Sequence, residues 1–146
     1  MANGRNRGTL IAAIAVALGI AAFVGYQFMG SERDHEHRAK VSEAIALLYG
    51  AREPLVNHFK SSRQWPSALE GLAPATSGKY TQSVAISKGA GGTSEIEVTA
   101  TMRPDGGNTP IAGKRIQLTS ADEGASWKCG SPDLSDIYLP PACRKK

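Results

Sequence analysis

The chain has 146 residues, room for one modest domain and an appendage. Its formal charge is +4, and the 41% of residues that are hydrophobic lie unevenly along it. Arg5 and Arg7 supply two of the 17 basic residues and all 13 acids lie beyond Gly30, so residues 31–146 balance to +2, which argues against nucleic acid as a partner.

Residues 1–8 form a short basic segment. Residues 9–29, from Thr9 to Met29, contain no charged side chain. As a helix this run is about 31 Å long, close to the hydrocarbon thickness of a bilayer, and it predicts a transmembrane helix. A cleavable secretory signal has an apolar core of only about 7–15 residues and a small-residue cleavage site. Here the run is longer and ends in Tyr26, Gln27, Phe28 and Met29, which suit an interfacial belt, so the segment reads as an uncleaved signal anchor. The basic excess before it places the N-terminus in the cytoplasm and exports residues 30–146. Within the run, Ala15 and Gly19, and likewise Ala21 and Gly25, stand four apart and suit close helix–helix packing.

Gly30 and Ser31 lead into a charged juncture, followed by a predicted amphipathic helix over 34–61. Val41, Ala44, Ile45, Leu48, Leu55, Val56 and Phe59 make its apolar stripe, with Lys40, Glu43, Arg52 and Lys60 off it. Pro54 predicts a bend near Glu53, because proline removes a backbone donor. The two helical runs can join through Gly30 into one spine. Residues 62–78, centred on Trp65-Pro66, read as a loop whose Trp-Pro pair wedges against the end of the sheet.

Four strands follow, over 80–86, 95–101, 115–119 and 125–129, separated by Gly- and Asp-rich turns. Short links imply an antiparallel meander. Its apolar face needs a cover, and the helical stripe is the cover available. The predicted fold class is α+β: a helix laid across a four-stranded antiparallel sheet, closed by a C-terminal disulfide loop. Cys129 and Cys143 both lie in the exported part, where an oxidising compartment favours a bond between them. A metal site would need more ligands than Asp133 and Asp136 nearby.

No catalytic constellation emerges. His35 and His37 stand two apart on a helix and do not share a face, so they suit a solvated juncture better than a metal. Ser126 has no nucleophile turn around it. The run from Gly89 to Gly92 lies between strands and opens no helix, so it is a turn, not a phosphate cradle. The reading is a chain that is not an enzyme and has no cofactor.

The order of these features resembles the major pilins of type IVa pili. The likeness rests on Arg38-Ala39-Lys40-Val41-Ser42-Glu43-Ala44-Ile45, on Trp65-Pro66, and on Ile111-Ala112-Gly113-Lys114 before Ile116. It ends on Trp127-Lys128-Cys129 and Tyr138-Leu139-Pro140-Pro141-Ala142-Cys143, and covers about residues 36–143. The resemblance implies a helical spine, an antiparallel sheet and a C-terminal loop tied by Cys129 and Cys143. It implies a fimbrial structural subunit whose partners are the membrane, other pilin subunits and pilus assembly proteins. It further implies an exposed loop used in adhesion, for which Ser131, Asp133, Asp136, Tyr138 and Pro140 are the candidates; simple loop closure is the competing reading. Family members carry a Glu a few residues into the apolar run, thought to pair with a neighbour's terminal amine. Here no Asp or Glu precedes Glu32. A non-polymerising, membrane-anchored homologue that modulates pilus assembly is therefore a second expectation. A module that binds DNA or a surface ligand, through Arg144, Lys145 and Lys146, is a third.

Overall fold

The computed structural model describes residues 4–106 and 109–145, the side chains of residues 4–14, 27–29 and 31 excepted. Its elements are helix α1 (Gly4–Ser62), strands β1 (Thr81–Lys88), β2 (Ile96–Met102), β3 (Arg115–Ser120) and β4 (Lys128–Gly130), and two short 3-10 helices, Asp136–Tyr138 and Pro141–Cys143. The chain divides into two compact units, Met1–Glu36 and His37–Lys146.

In the first unit the residues expected to pack helices, Ala15, Gly19, Ala21 and Gly25, are exposed, and a Cβ at Gly19 or Gly25 would meet nothing within 4 Å. Around them Val16, Leu18, Ile20, Phe23 and Tyr26 are also exposed. Among the described residues no helix is long and apolar enough to cross a membrane. The span expected over 9–29 lies partly outside the residues whose side chains are described.

The second unit is built as the hydrophobic pattern predicts. Val41, Ala44, Leu48, Ala51, Leu55 and Phe59 repeat at spacings of three and four and are all buried, one stripe on α1. Ile45 and Val56, on the margin of that stripe, are half-buried. Pro54 lies inside α1, and the helix runs on past it to Ser62. Four residues back, at the carbonyl a proline ring crowds, stands Gly50.

The sheet is a β1-β2-β3-β4 meander, every neighbour antiparallel. Register puts Val98 opposite Ile86 and Leu118, and Ala100 opposite Val84 and Ile116. With Ile96 and Met102 these side chains join the helical stripe, Trp65, Leu69 and Leu139 in a single core. The alternation of β2, buried at every second residue, is the period-two signature of a sheet covered on one face. On the other face Ser87, Thr99, Glu97 and Gln117 bond to one another.

Strand β4 begins three residues later than expected. The Asp122 carboxylate accepts hydrogen bonds from the Ser126 N–H (2.8 Å) and hydroxyl (2.5 Å), which folds residues 122–126 into a turn. The Trp65 wedge is in place. Its backbone N–H donates to Gly92 (2.8 Å), its indole N–H donates to Ser94 (3.2 Å), and its ring packs 4.5 Å from that of Phe59.

Candidate functional site: the disulfide-closed C-terminal segment

Cys129 leaves the sheet on β4 and bonds to Cys143 on the second 3-10 helix, with Cα atoms 4.5 Å apart. What lies between is held from three sides. Beside β3, the Ser131 hydroxyl donates to the Arg115 carbonyl (2.5 Å) and accepts from the Leu134 N–H (2.9 Å). Asp133 accepts from the Arg115 backbone N–H (2.8 Å) and Nε (2.9 Å). Burial pushes the Asp133 carboxyl up, but the bonds and charge of Arg115, with Lys114 behind them, hold it below its ordinary value. Beneath, Leu134 and Leu139 enter the core. Toward the helix, the Tyr138 ring is buried and meets His37 edge to face at 5.5 Å. Arg38 Nε donates to the Ile137 carbonyl (2.8 Å), a contact across 99 residues of chain.

The candidates named for adhesion therefore separate by position. Ser131 and Tyr138 are buried, Asp133 is half-buried against Arg115, Asp136 is half-buried, and Pro140 is exposed. The outward surface also includes Ser135, Ile137 and Pro141, with Ile137 49% exposed. Sequence reasoning passed over Ile137, Arg38 and Arg115. A cue for Ile137 existed, an aliphatic residue inside a polar loop, but nothing in the sequence pairs residue 38 with residue 137.

A second locking point was also passed over. Glu43 Oε1 accepts from the Tyr80 N–H (2.8 Å), the Thr81 N–H (3.0 Å) and the Thr81 hydroxyl (3.0 Å), while Oε2 accepts from the Lys79 N–H (3.1 Å). Burial pushes this carboxyl up, and the bonds from Tyr80, Thr81 and Lys79 outweigh it and hold it below its ordinary 4.5. The clasp needs Gly78: a Cβ there would collide with Glu43 Oε1 and come within 2.7 Å of its Cδ. Among the described residues no group of His, Cys, Asp or Glu side chains is placed to hold a metal ion.

These contacts build an amphipathic helix over an antiparallel meander, with a disulfide returning the C-terminus to the sheet edge. Compared with known families, residues 37–144 match pilin, the bacterial filament family. This chain belongs to the pilin family. Curated relatives agree along nearly the whole length. The fimbrial protein EcpC of Eikenella corrodens is 30% identical, over 95% of this pilin and 91% of the relative. The fimbrial protein of Neisseria meningitidis serogroup A is also 30% identical, over 89% of this pilin and 76% of the relative. A type IV major pilin protein PilE1 of Neisseria gonorrhoeae is 29% identical, over 97% and 96%. Pilins are filament subunits, and this pilin is not an enzyme.

Proposed function

We propose that this pilin is a structural subunit of a type IV pilus, anchored by residues 9–29 before assembly and displaying residues 30–146 outside the cytoplasm. The observation that carries the reading is the pilin match over residues 37–144, which coincides with the compact unit His37–Lys146 and its closing disulfide. Lateral packing would fall to the apolar part of α1, where exposed Val16, Ile20 and Phe23 surround the small residues Ala15, Gly19, Ala21 and Gly25. Adhesion would fall to the outward side of the disulfide loop, at Pro140, while Ser131, Asp133 and Tyr138 hold that surface in place. Shearing intact cells and probing filament and membrane fractions with an antibody to residues 37–146 tests the reading. The antigen is expected in the sheared filaments; antigen confined to membranes overturns it.

One observation favours a second reading. With no Asp or Glu before Glu32, this pilin lacks an acid to pair with a neighbour's amine inside the apolar core. A pilin that stays in the membrane and modulates assembly by others would have no use for that acid. The same fractionation separates the two readings, and intact mass of the native protein shows whether the first eight residues are retained, as the membrane-resident reading expects.

A further inference from the structure

Among the described residues of the unit His37–Lys146, two large hydrophobic side chains stand out into solvent: Tyr49, 39% exposed, and Ile137, 49% exposed. Each sits beside a charge, and the charges are of opposite sign. Next to Ile137 is Asp136, whose carboxylate makes no hydrogen bond or ion pair among the described residues. Next to Tyr49 is Arg52, whose guanidinium lies 5.3 Å from the Tyr49 ring and 5.9 Å from that of Trp127. The two rings hold this cation in place, yet it has no carboxylate partner, and its Nε is buried without an acceptor among the described residues. Tyr49, Arg52, Glu53, Val56, Asn57, Lys60 and Gly124 line a trough of about 370 Å³ between α1 and the β3–β4 turn. Two bases, Arg52 and Lys60, stand in it against one acid, Glu53, so it is partly apolar, basic by one charge, and wider than one aliphatic side chain. Tyrosine, tryptophan and arginine around a half-buried centre is the composition of a protein–protein anchor point.

We infer that the Asp136–Ile137 knob of one copy of this chain seats in the Tyr49–Arg52–Val56–Lys60 trough of the next. Ile137 covers the apolar floor at Tyr49 and Val56, and Asp136 supplies the anion that Arg52 and Lys60 lack. The inference rests on the reading of this pilin as a filament subunit and names a contact between its exported units. Knob and trough are separate surfaces. Arg38, which holds the Ile137 carbonyl, precedes Tyr49 by 11 residues, about 16 Å along the helix. A contact between two different surfaces is heterologous, and with a rotation that does not close it propagates along a filament.

The test uses the full-length chain in cells that make it. Ile137 is replaced by photoreactive p-benzoylphenylalanine, the cells are irradiated, and cross-linked peptides are mapped in sheared filaments and in membranes separately. Cross-links from position 137 to residues 49–60 of another copy are expected. Cross-links that land elsewhere, or none between copies in either fraction, overturn the inference. Absence of the chain from filaments counts against the function proposed above, while the membrane fraction still decides this contact. Charge reversal gives the independent measure. Lys60→Glu and Asp136→Lys should each lower recovery of cross-linked copies by about tenfold, and the double variant should restore much of it. Equal losses in single and double variants would mean that the two side chains do not meet.

Discussion

Replacing Glu43 with alanine should destabilise the exported unit at neutral pH far more than its position off the apolar stripe suggests. The carboxylate is the acceptor for the Tyr80 N–H, the Thr81 N–H and the Thr81 hydroxyl, and Thr81 is fully buried. Alanine leaves those donors without a partner where water does not readily replace it. Each unmet buried donor costs about 1–3 kcal/mol, so with partial relaxation the loss is about 2–4 kcal/mol. For a unit of this size that lowers Tm by roughly 10 °C or more. The assay is guanidinium unfolding of the full chain in detergent, followed by tryptophan fluorescence, since both tryptophans, Trp65 and Trp127, lie in this unit. The pH dependence has a definite sign. A carboxyl held below 4.5 when folded contributes its full stabilisation above 4.5 and loses it as pH falls through the lower folded value. The gap between wild type and Glu43→Ala should therefore narrow in acid below that point. Gly78→Ala should also destabilise, and in the Glu43→Ala background its effect should largely vanish, because the atoms it collides with are gone. A Glu43→Ala variant within about 0.5 kcal/mol of wild type at neutral pH would refute the clasp, as would a gap that does not change in acid.

Other outcomes follow from the same contacts. Reducing Cys129–Cys143, which closes a loop with a sequence separation of 14, should lower stability by about 3 kcal/mol, and thiol alkylation of untreated material should find neither cysteine free. Gly124→Ala puts a Cβ 2.7 Å from Val56 Cγ2 and 3.3 Å from the Trp65 ring at a φ of +86°, so a loss of about 2–4 kcal/mol is expected in the same unfolding assay. The Asp122 carboxyl is held down at about 2 by the Ser126 hydroxyl and N–H and the Ser120 hydroxyl. Its support for the 122–126 turn is present above 3.8 and disappears as pH falls toward 2. Wild type should thus lose stability across that window more steeply than Asp122→Asn, which acid titration of the fluorescence midpoint would show.

Most of the architecture is legible in the sequence, and the reason is periodicity. The stripe from Val41 to Phe59 and the alternation of Ile96, Val98, Ala100 and Met102 are local patterns, each readable within a few turns or residues. The misjudged points are those where a distant group intervenes. Strand β4 starts late because Asp122 captures Ser126. Glu43 read as a surface residue because its partners lie 36 to 38 residues away. Within the disulfide loop, residue types pointed to five candidates, but which of them face outward depends on Arg115, His37 and Arg38, none of which is near them in sequence.

The sequence by itself determined the class of the fold, the pairing partners Cys129 and Cys143, and the kinship of the chain with filament subunits, because burial patterns and cysteine chemistry are carried by residue type and spacing. Only the tertiary structure decided that Ser131, Asp133 and Tyr138 brace the loop, leaving Asp136, Ile137 and Pro140 at its surface. It also decided that Arg52 is gripped by two rings with no acid to meet it among the described residues. Those outcomes depend on which side chains, far apart along the chain, compete for the same donors, acceptors and apolar space, and that competition exists only once the helix lies on the sheet.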